Sequence, residues 1–234
     1  MKKISLVLLA LFLMACGKEQ HDLTVKANIE GLKKGTLYLK KVEDTTLVII
    51  DSLVVNGNTN IELHSDLDSP EIFYLYLDKN SAEKDRITFF ADKGITEINT
   101  TLKNFAFEFE IKGSEQQKTL EEYQTVVDKI NNRYLYNFKE QFEARKAGDT
   151  AKLNILIKEG NNSLKRKYLY TVNFALNNKN SEVAPYLALT EIYNARIDYL
   201  DTINNSLTPK VKASKYGKEL NTFINTIKST ETDN

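Results

Sequence analysis

The chain has 234 residues, with 32 Lys and Arg balanced by 32 Asp and Glu, 41% hydrophobic residues and one cysteine. Zero net charge argues against a nucleic-acid binder, which carries a basic excess. A lone cysteine excludes an intramolecular disulfide, a thiol redox pair and a cysteine metal cluster, so stability rests on an apolar core.

That cysteine closes an N-terminal signal. Lys2 and Lys3 precede an apolar run, Ile4 to Met14, and Leu13-Met14-Ala15-Cys16 ends it. A small residue before the cut and a thiol after it are what a lipoprotein signal peptidase needs, whereas a plain secretory signal has no use for the cysteine. The run is too short to span a bilayer, which takes about 20 residues. Residues 1–15 are therefore read as a cleaved signal, Cys16 as the lipidated first residue and 16–21 as a tether. Several acyl chains on Cys16 hold a protein firmly, since each buried methylene contributes about 0.8 kcal/mol. Gly17 stands where an Asp would retain the protein at an inner membrane. The expected location is the outer membrane, facing the periplasm or the cell surface.

From Asp22 to Lys112 the pattern is that of strands. Leu23, Val25, Ala27 and Ile29 alternate with polar residues, and Leu37 and Leu39 repeat this after a turn at Lys33-Lys34-Gly35. Thr46 to Val55 runs into Asn56-Gly57, a pair suited to a type I′ hairpin, with Ile61 and Leu63 returning. Glu71 to Leu77 is apolar at nearly every position, the mark of a strand covered on both faces. Ile87–Ala91 and Ile95–Asn99 flank Asp92-Lys93-Gly94, a second hairpin signal, and Phe105, Phe107, Phe109 and Ile111 alternate with polar or small residues. Short strands joined by tight turns predict an antiparallel β-sandwich over residues 22–113.

After Gly113 the period changes. Ser114-Glu115-Gln116-Gln117 has the form of a capping box. Leu120, Tyr123, Val127, Ile130, Tyr134, Phe138 and Phe142 predict one buried helical stripe, and Leu153, Ile157, Leu164, Tyr168, Val172 and Ala175 predict a second facing it. A third helix is expected over Val183–Tyr199, and Thr208-Pro209 is a suitable cap for a fourth with Tyr216, Leu220, Phe223 and Ile227 inward. The fold class is thus α+β, an N-terminal antiparallel β-sandwich followed by a helical region over residues 114–234.

The β half resembles the domain of unknown function 4369 of Bacteroidota lipoproteins. The resemblance is carried by Ile29-Glu30-Gly31, Gly35-Thr36-Leu37-Tyr38-Leu39, Ile50-Asp51-Ser52 leading to Val55-Asn56-Gly57, Ile87-Thr88-Phe89-Phe90 and Ile111-Lys112-Gly113-Ser114. The helical half, with Ser214-Lys215-Tyr216-Gly217, resembles the segment that usually follows. In many members a thioredoxin-like domain with a Cys-x-x-Cys pair comes next. The chain stops at Asn234, where that domain would begin, so the resemblance implies no disulfide or peroxide chemistry here.

No catalytic residue, metal ligand or cofactor emerges from the motifs. His64 with Asp66 and Asp68 reads as a polar turn, Asp51-Ser52 as a pair that orders a strand edge, Glu108 and Glu110 as an outward face and Lys165-Arg166-Lys167 as a solvated helix face. Asp51-Ser52-Leu53, Asp149-Thr150-Ala151 and Asp201-Thr202-Ile203 fit an O-glycosylation pattern of exported Bacteroidota proteins, which makes Ser52, Thr150 and Thr202 candidate acceptors. With 12 Tyr and 11 Phe but no Trp, the aromatics are the other notable feature. Tyr134, Tyr136, Tyr168 and Tyr170 are candidates for a partner-binding surface, since tyrosine offers large contact area at low entropic cost. The expected function is that of a non-enzymatic envelope module, held to the membrane by Cys16 and binding a protein or peptide through the helices or the cleft between halves. The alternative is a small-ligand carrier whose sandwich pocket is lined by Phe89, Phe105 and Phe107.

Overall fold

A computed structural model describes residues 21–57, 60–78 and 85–232. The signal segment, Cys16 and the tether up to Gln20 lie outside the described residues. The order of elements is α+β, strands first and helices after. Among the described residues, eight strands form two four-stranded sheets. The first runs β4-β1-β7-β8, from Ile61–Ser65, Leu23–Glu30, Gly94–Thr101 and Phe109–Lys112. The second runs β3-β2-β5-β6, from Thr46–Asn56, Lys34–Glu43, Glu71–Asp78 and Asp85–Ala91. Leu23, Val25, Leu37, Leu39, Phe73, Leu75, Ile87 and Phe89 close the space between them.

The pairing departs from an all-antiparallel sandwich at one place. β1 and β7 run parallel, with Leu23 opposite Gly94 and Glu30 opposite Thr101. Parallel neighbours need a long crossover, and here the whole second sheet lies between them in sequence. Both expected hairpins are therefore links between sheets. Asn56-Gly57 leads from β3 in one sheet to β4 in the other, and Asp92-Lys93-Gly94 does the same from β6 to β7. The tight hairpin instead joins β2 to β3 through Asp44-Thr45, where Asp44 takes φ 55°. The predicted run of Phe105, Phe107 and Phe109 is also not a strand throughout. Residues 102–107 turn, and β8 starts only at Phe109. The Thr100 hydroxyl donates to the Glu108 carbonyl at 2.8 Å and holds that turn closed. Phe105 is thereby tucked into the core while Phe107 stands 86% exposed.

β5 is covered on both sides, as its composition requires. Phe73, Leu75 and Leu77 face the sandwich interior, and Ile72 and Tyr74 face the helices together with Phe90 of β6. Against this outer face pack α1 (Glu115–Lys146) through Leu120, Tyr123 and Val127, α3 (Val183–Glu191) through Val183 and Leu187, and α6 (Lys215–Thr232) through Tyr216. Fully burying one side chain such as Phe90 contributes about 1.5–3 kcal/mol. Hydrogen bonds fix the contact. The Ile72 N–H donates to the Tyr216 hydroxyl at 3.0 Å, and the Phe90 N–H donates to Gln117 Oε1 at 2.8 Å. Two sheets and a helical layer thus form three stacked layers with two apolar seams.

The change from strand to helix occurs at Gly113, whose φ is +90° and where a Cβ would lie 2.0 Å from the Ile95 carbonyl oxygen. α1 is followed by α2 (Thr150–Asn177), then α3, α4 (Ile197–Ser206), α5 (Pro209–Ala213) and α6. The helix expected over 183–199 is broken after Glu191, and residues 192–196 form a turn before α4. The fourth is also divided. Ser214 adopts an extended conformation, and its Oγ donates to the Val211 carbonyl at 2.7 Å before α6 begins.

Candidate functional site

α1 and α2 are 32 and 28 residues long, so α1 extends about 48 Å at 1.5 Å per residue. Its start is firmly seated. Ser114 Oγ accepts from the Gln117 N–H, and Asp92 Oδ2 accepts from both the Ser114 hydroxyl and the Gln116 N–H. At the far end Asp149 caps α2 by accepting from the Lys152 N–H at 2.9 Å. Beyond Val127 the two helices form an arm whose outward surfaces have lost the cover of the sandwich and the other helices.

The arm is inverted relative to an ordinary helix pair. The middle of its seam carries polar side chains among small and aliphatic ones: Asn137 is 1% exposed, with Nδ2 donating to Glu159 Oε2 at 3.2 Å. Gln141 Nε2 donates to Asn137 Oδ1 at 3.3 Å and to the Leu156 carbonyl at 3.2 Å, and Gly160 leaves room for the Gln141 amide. Facing outward are Tyr134, Leu135, Phe138 and Phe142 from α1 and Ile157 and Leu164 from α2, with Phe138 63% and Phe142 62% exposed. Helical geometry explains this arrangement. Each step of four residues advances about 40° around a helix of 3.6 residues per turn. The run Tyr134, Phe138, Phe142 therefore walks off the contact line, and Asn137, Gln141 and Ala144 occupy it instead.

Tyr134 and Leu164 line one recess of about 170 Å³, together with Ile130, Asn131, Ser163 and Lys167. An aromatic side chain carries about 150–250 Å², so the exposed parts of Tyr134, Phe138 and Phe142 amount to roughly 300 Å². Leu135, Ile157 and Leu164 bring the face to roughly 600 Å², the upper end of patches on monomers and a size that is often functional. The four tyrosines expected to form a binding surface are split between two places. Tyr134 and Tyr136 are exposed on the arm. Tyr168 is half-buried and its hydroxyl donates to Asn194 Oδ1 at 2.8 Å. Tyr170 stacks on Tyr123 with centroids 5.6 Å apart, and burial raises its phenol above the usual tyrosine range. The sequence pattern had placed Phe138, Phe142, Ile157 and Leu164 in buried stripes; the drift of four-residue steps was the available signal that they would turn outward.

Residues 23–120 match the family model described as Domain of unknown function (DUF4369). The match spans the whole sandwich and the first six residues of α1, in agreement with the resemblance carried by the strand motifs. The arm and the remaining helices lie beyond it. No curated protein matches the chain.

Within the region that the family model matches, Asp51 ties strand edges together. Its carboxylate accepts from the Ser52 N–H at 2.7 Å and from the His64 N–H at 2.8 Å, linking β3 to β4 across the sheets. The His64 ring lies beside Asp51 and the His21 ring rather than with Asp66 and Asp68 as a set. Among the described residues no group of three or more His, Cys, Asp or Glu is placed to hold a metal ion. Phe89 and Phe105 are sealed in the core and Phe107 stands outside, so these three do not line a common cavity. Ser52, Thr150 and Thr202 are all exposed.

At the junction of the sandwich and the helices, an open cleft of about 320 Å³ is lined by Lys41, Glu71, Lys215 and Lys218 among others. Glu71 is buried and bracketed by Lys41, at 3.1 Å, and by Lys215, so its carboxylate is neutralised from both the sheet and α6. Nearby, Glu182 accepts from Gln116 Nε2 at 2.8 Å, and burial holds its carboxyl above the ordinary glutamate value. Burial also pushes the Tyr186 phenol up to about 12. Lys41, Glu71 and Lys215 of this cleft are engaged in joining the layers, whereas the arm exposes apolar area on Phe138 and Phe142.

Proposed function

We propose that the protein is an outer-membrane lipoprotein, held by acylated Cys16, that acts as a non-enzymatic accessory module and binds a protein or peptide partner on the two-helix arm. The observation that supports this reading is the inverted arm. A monomer gains by placing Phe138 and Phe142 in the seam and Asn137 and Gln141 outside, since buried amides contribute little net stability even when fully hydrogen-bonded. Keeping the polar set inside gives two helices a fixed register while leaving the apolar set for another molecule. No described helix is long and apolar enough to cross a membrane. The attachment at Cys16 rests on the signal pattern Leu13-Met14-Ala15-Cys16.

In-cell crosslinking followed by purification tests the reading, with Cys16→Ser and Phe138→Ser/Phe142→Ser as comparisons. The expected result is a stoichiometric protein partner on the unaltered chain that is lost in both variants. A partner retained by the Phe138→Ser/Phe142→Ser chain would move the site off the arm. A co-purifying small molecule with no protein would favour a carrier.

A further inference from the structure

The geometry points to the chemistry of the partner: an amphipathic helix of another protein, with an apolar stripe flanked by Asp and Glu, laid along the arm between α1 and α2. This rests on the arm being the binding surface, and it follows from charge and shape that the apolar face alone does not specify. Between Asp128 and Lys167 the chain has ten Lys and Arg against five Asp and Glu, whereas the rest of it has 22 against 27. A neutral chain has thus concentrated its positive charge on the arm. Three of the ten bases are paired, Lys152 with Glu140 at 2.8 Å, Arg133 with Glu159 at 3.4 Å and Lys167 with Glu191 of α3 at 2.7 Å, which leaves seven Lys and Arg against three Asp and Glu. Lys139, Arg145, Lys146, Lys158 and Lys165 are exposed. They rim the apolar face with net positive potential, which selects an acidic surface and speeds its approach.

Shape favours a helix over a lipid surface. The recess between Ile130, Tyr134, Ser163 and Leu164 accepts one projecting apolar side chain, and Phe138 and Phe142 continue the face at helical spacing along α1. A helix laid into the groove of two antiparallel helices completes a three-helix layer, with anchors at i, i+3 or i+4 and i+7. A membrane surface gains nothing from a recess. A second copy of this arm would bring an identical basic rim against the first, which is repulsive.

The test places the photo-crosslinker p-benzoylphenylalanine at position 138 of the full-length chain in its own cells, with position 107 as a control, and identifies the adducts by mass spectrometry. The expected adduct at 138 is a segment of another protein with Asp and Glu flanking apolar residues. Its yield should fall about tenfold in Lys139→Glu/Arg145→Glu/Lys146→Glu, because rim charges govern encounter. Those three residues contribute nothing to the seam, and an unchanged melting curve verifies that the variant is folded. An adduct with a neutral or basic segment, or one indifferent to charge reversal, overturns the acidic-helix inference while leaving the arm as the binding site. An adduct with lipid or with a second copy overturns it too. Adducts at 107 and none at 138 would remove the arm from the function altogether.

Discussion

Replacing Tyr216 with Phe isolates the joint between sandwich and helices. The ring keeps its edge contacts with Phe90, 5.8 Å between centroids, and with Tyr186, at 5.2 Å, so apolar burial is unchanged. What is lost is the acceptor for the Ile72 N–H, 3.0 Å away and buried beneath α6. A buried donor left without a partner costs about 1–3 kcal/mol. With a urea m-value of about 2–3 kcal/mol per M for a chain of this size, the midpoint should fall by roughly 0.3–1.5 M at unchanged m. Gln117→Leu strands the Phe90 N–H in the same way and should give a loss of the same order. Equilibrium urea unfolding followed by far-UV and near-UV circular dichroism reads both. A midpoint shift under about 0.2 M for Tyr216→Phe would mean that the amide finds water, and that the joint is not a closed seam.

Three further outcomes follow from the same contacts. Gly217→Ala puts a Cβ 2.0 Å from the Val211 carbonyl oxygen, backbone that cannot move aside, so a loss of about 3 kcal/mol or more is expected by thermal unfolding. Phe138→Ser/Phe142→Ser should change stability by less than about 0.5 kcal/mol per site, whereas Phe89→Ala should cost about 3–5 kcal/mol, because only Phe89 leaves a cavity. Glu182 has a raised folded-state pKa caused by burial, so the native state holds its proton more tightly than the unfolded chain. The stability it contributes is present at acid pH and declines as pH rises above about 4.5, the unfolded value. Relative to the parent, Glu182→Gln should therefore gain stability progressively as urea midpoints are measured from pH 4 to pH 7, and a constant difference would contradict this.

Much of the fold is legible because it is local. Alternation at Leu23, Val25, Ala27 and Ile29 and continuous apolarity from Glu71 to Leu77 report directly which faces of β1 and β5 are covered. The caps Ser114, Asp149 and Thr208 act through bonds three residues away, so they are readable too. Strand partnership is not local. Asn56-Gly57 satisfies the turn chemistry of a hairpin, yet β3 pairs with β2 because Asp44-Thr45 closes a tighter one. The parallel β1–β7 pair depends on strands 71 residues apart in register, and no short motif encodes it. The aromatic face was half legible. The residue types were visible, but the three- and four-residue steps of the stripe from Leu120 to Ile130 give way to successive steps of four, which carry Phe138 and Phe142 outward.

The most direct check on the role of the arm is hydroxyl-radical footprinting in cells against the purified protein. Oxidation of Tyr134, Phe138 and Phe142 should drop several-fold in cells, while Phe107, 86% exposed on the sandwich, is labelled equally in both. Equal labelling of Phe138, Phe142 and Phe107 in cells and in isolation would mean that nothing covers the arm where the protein works.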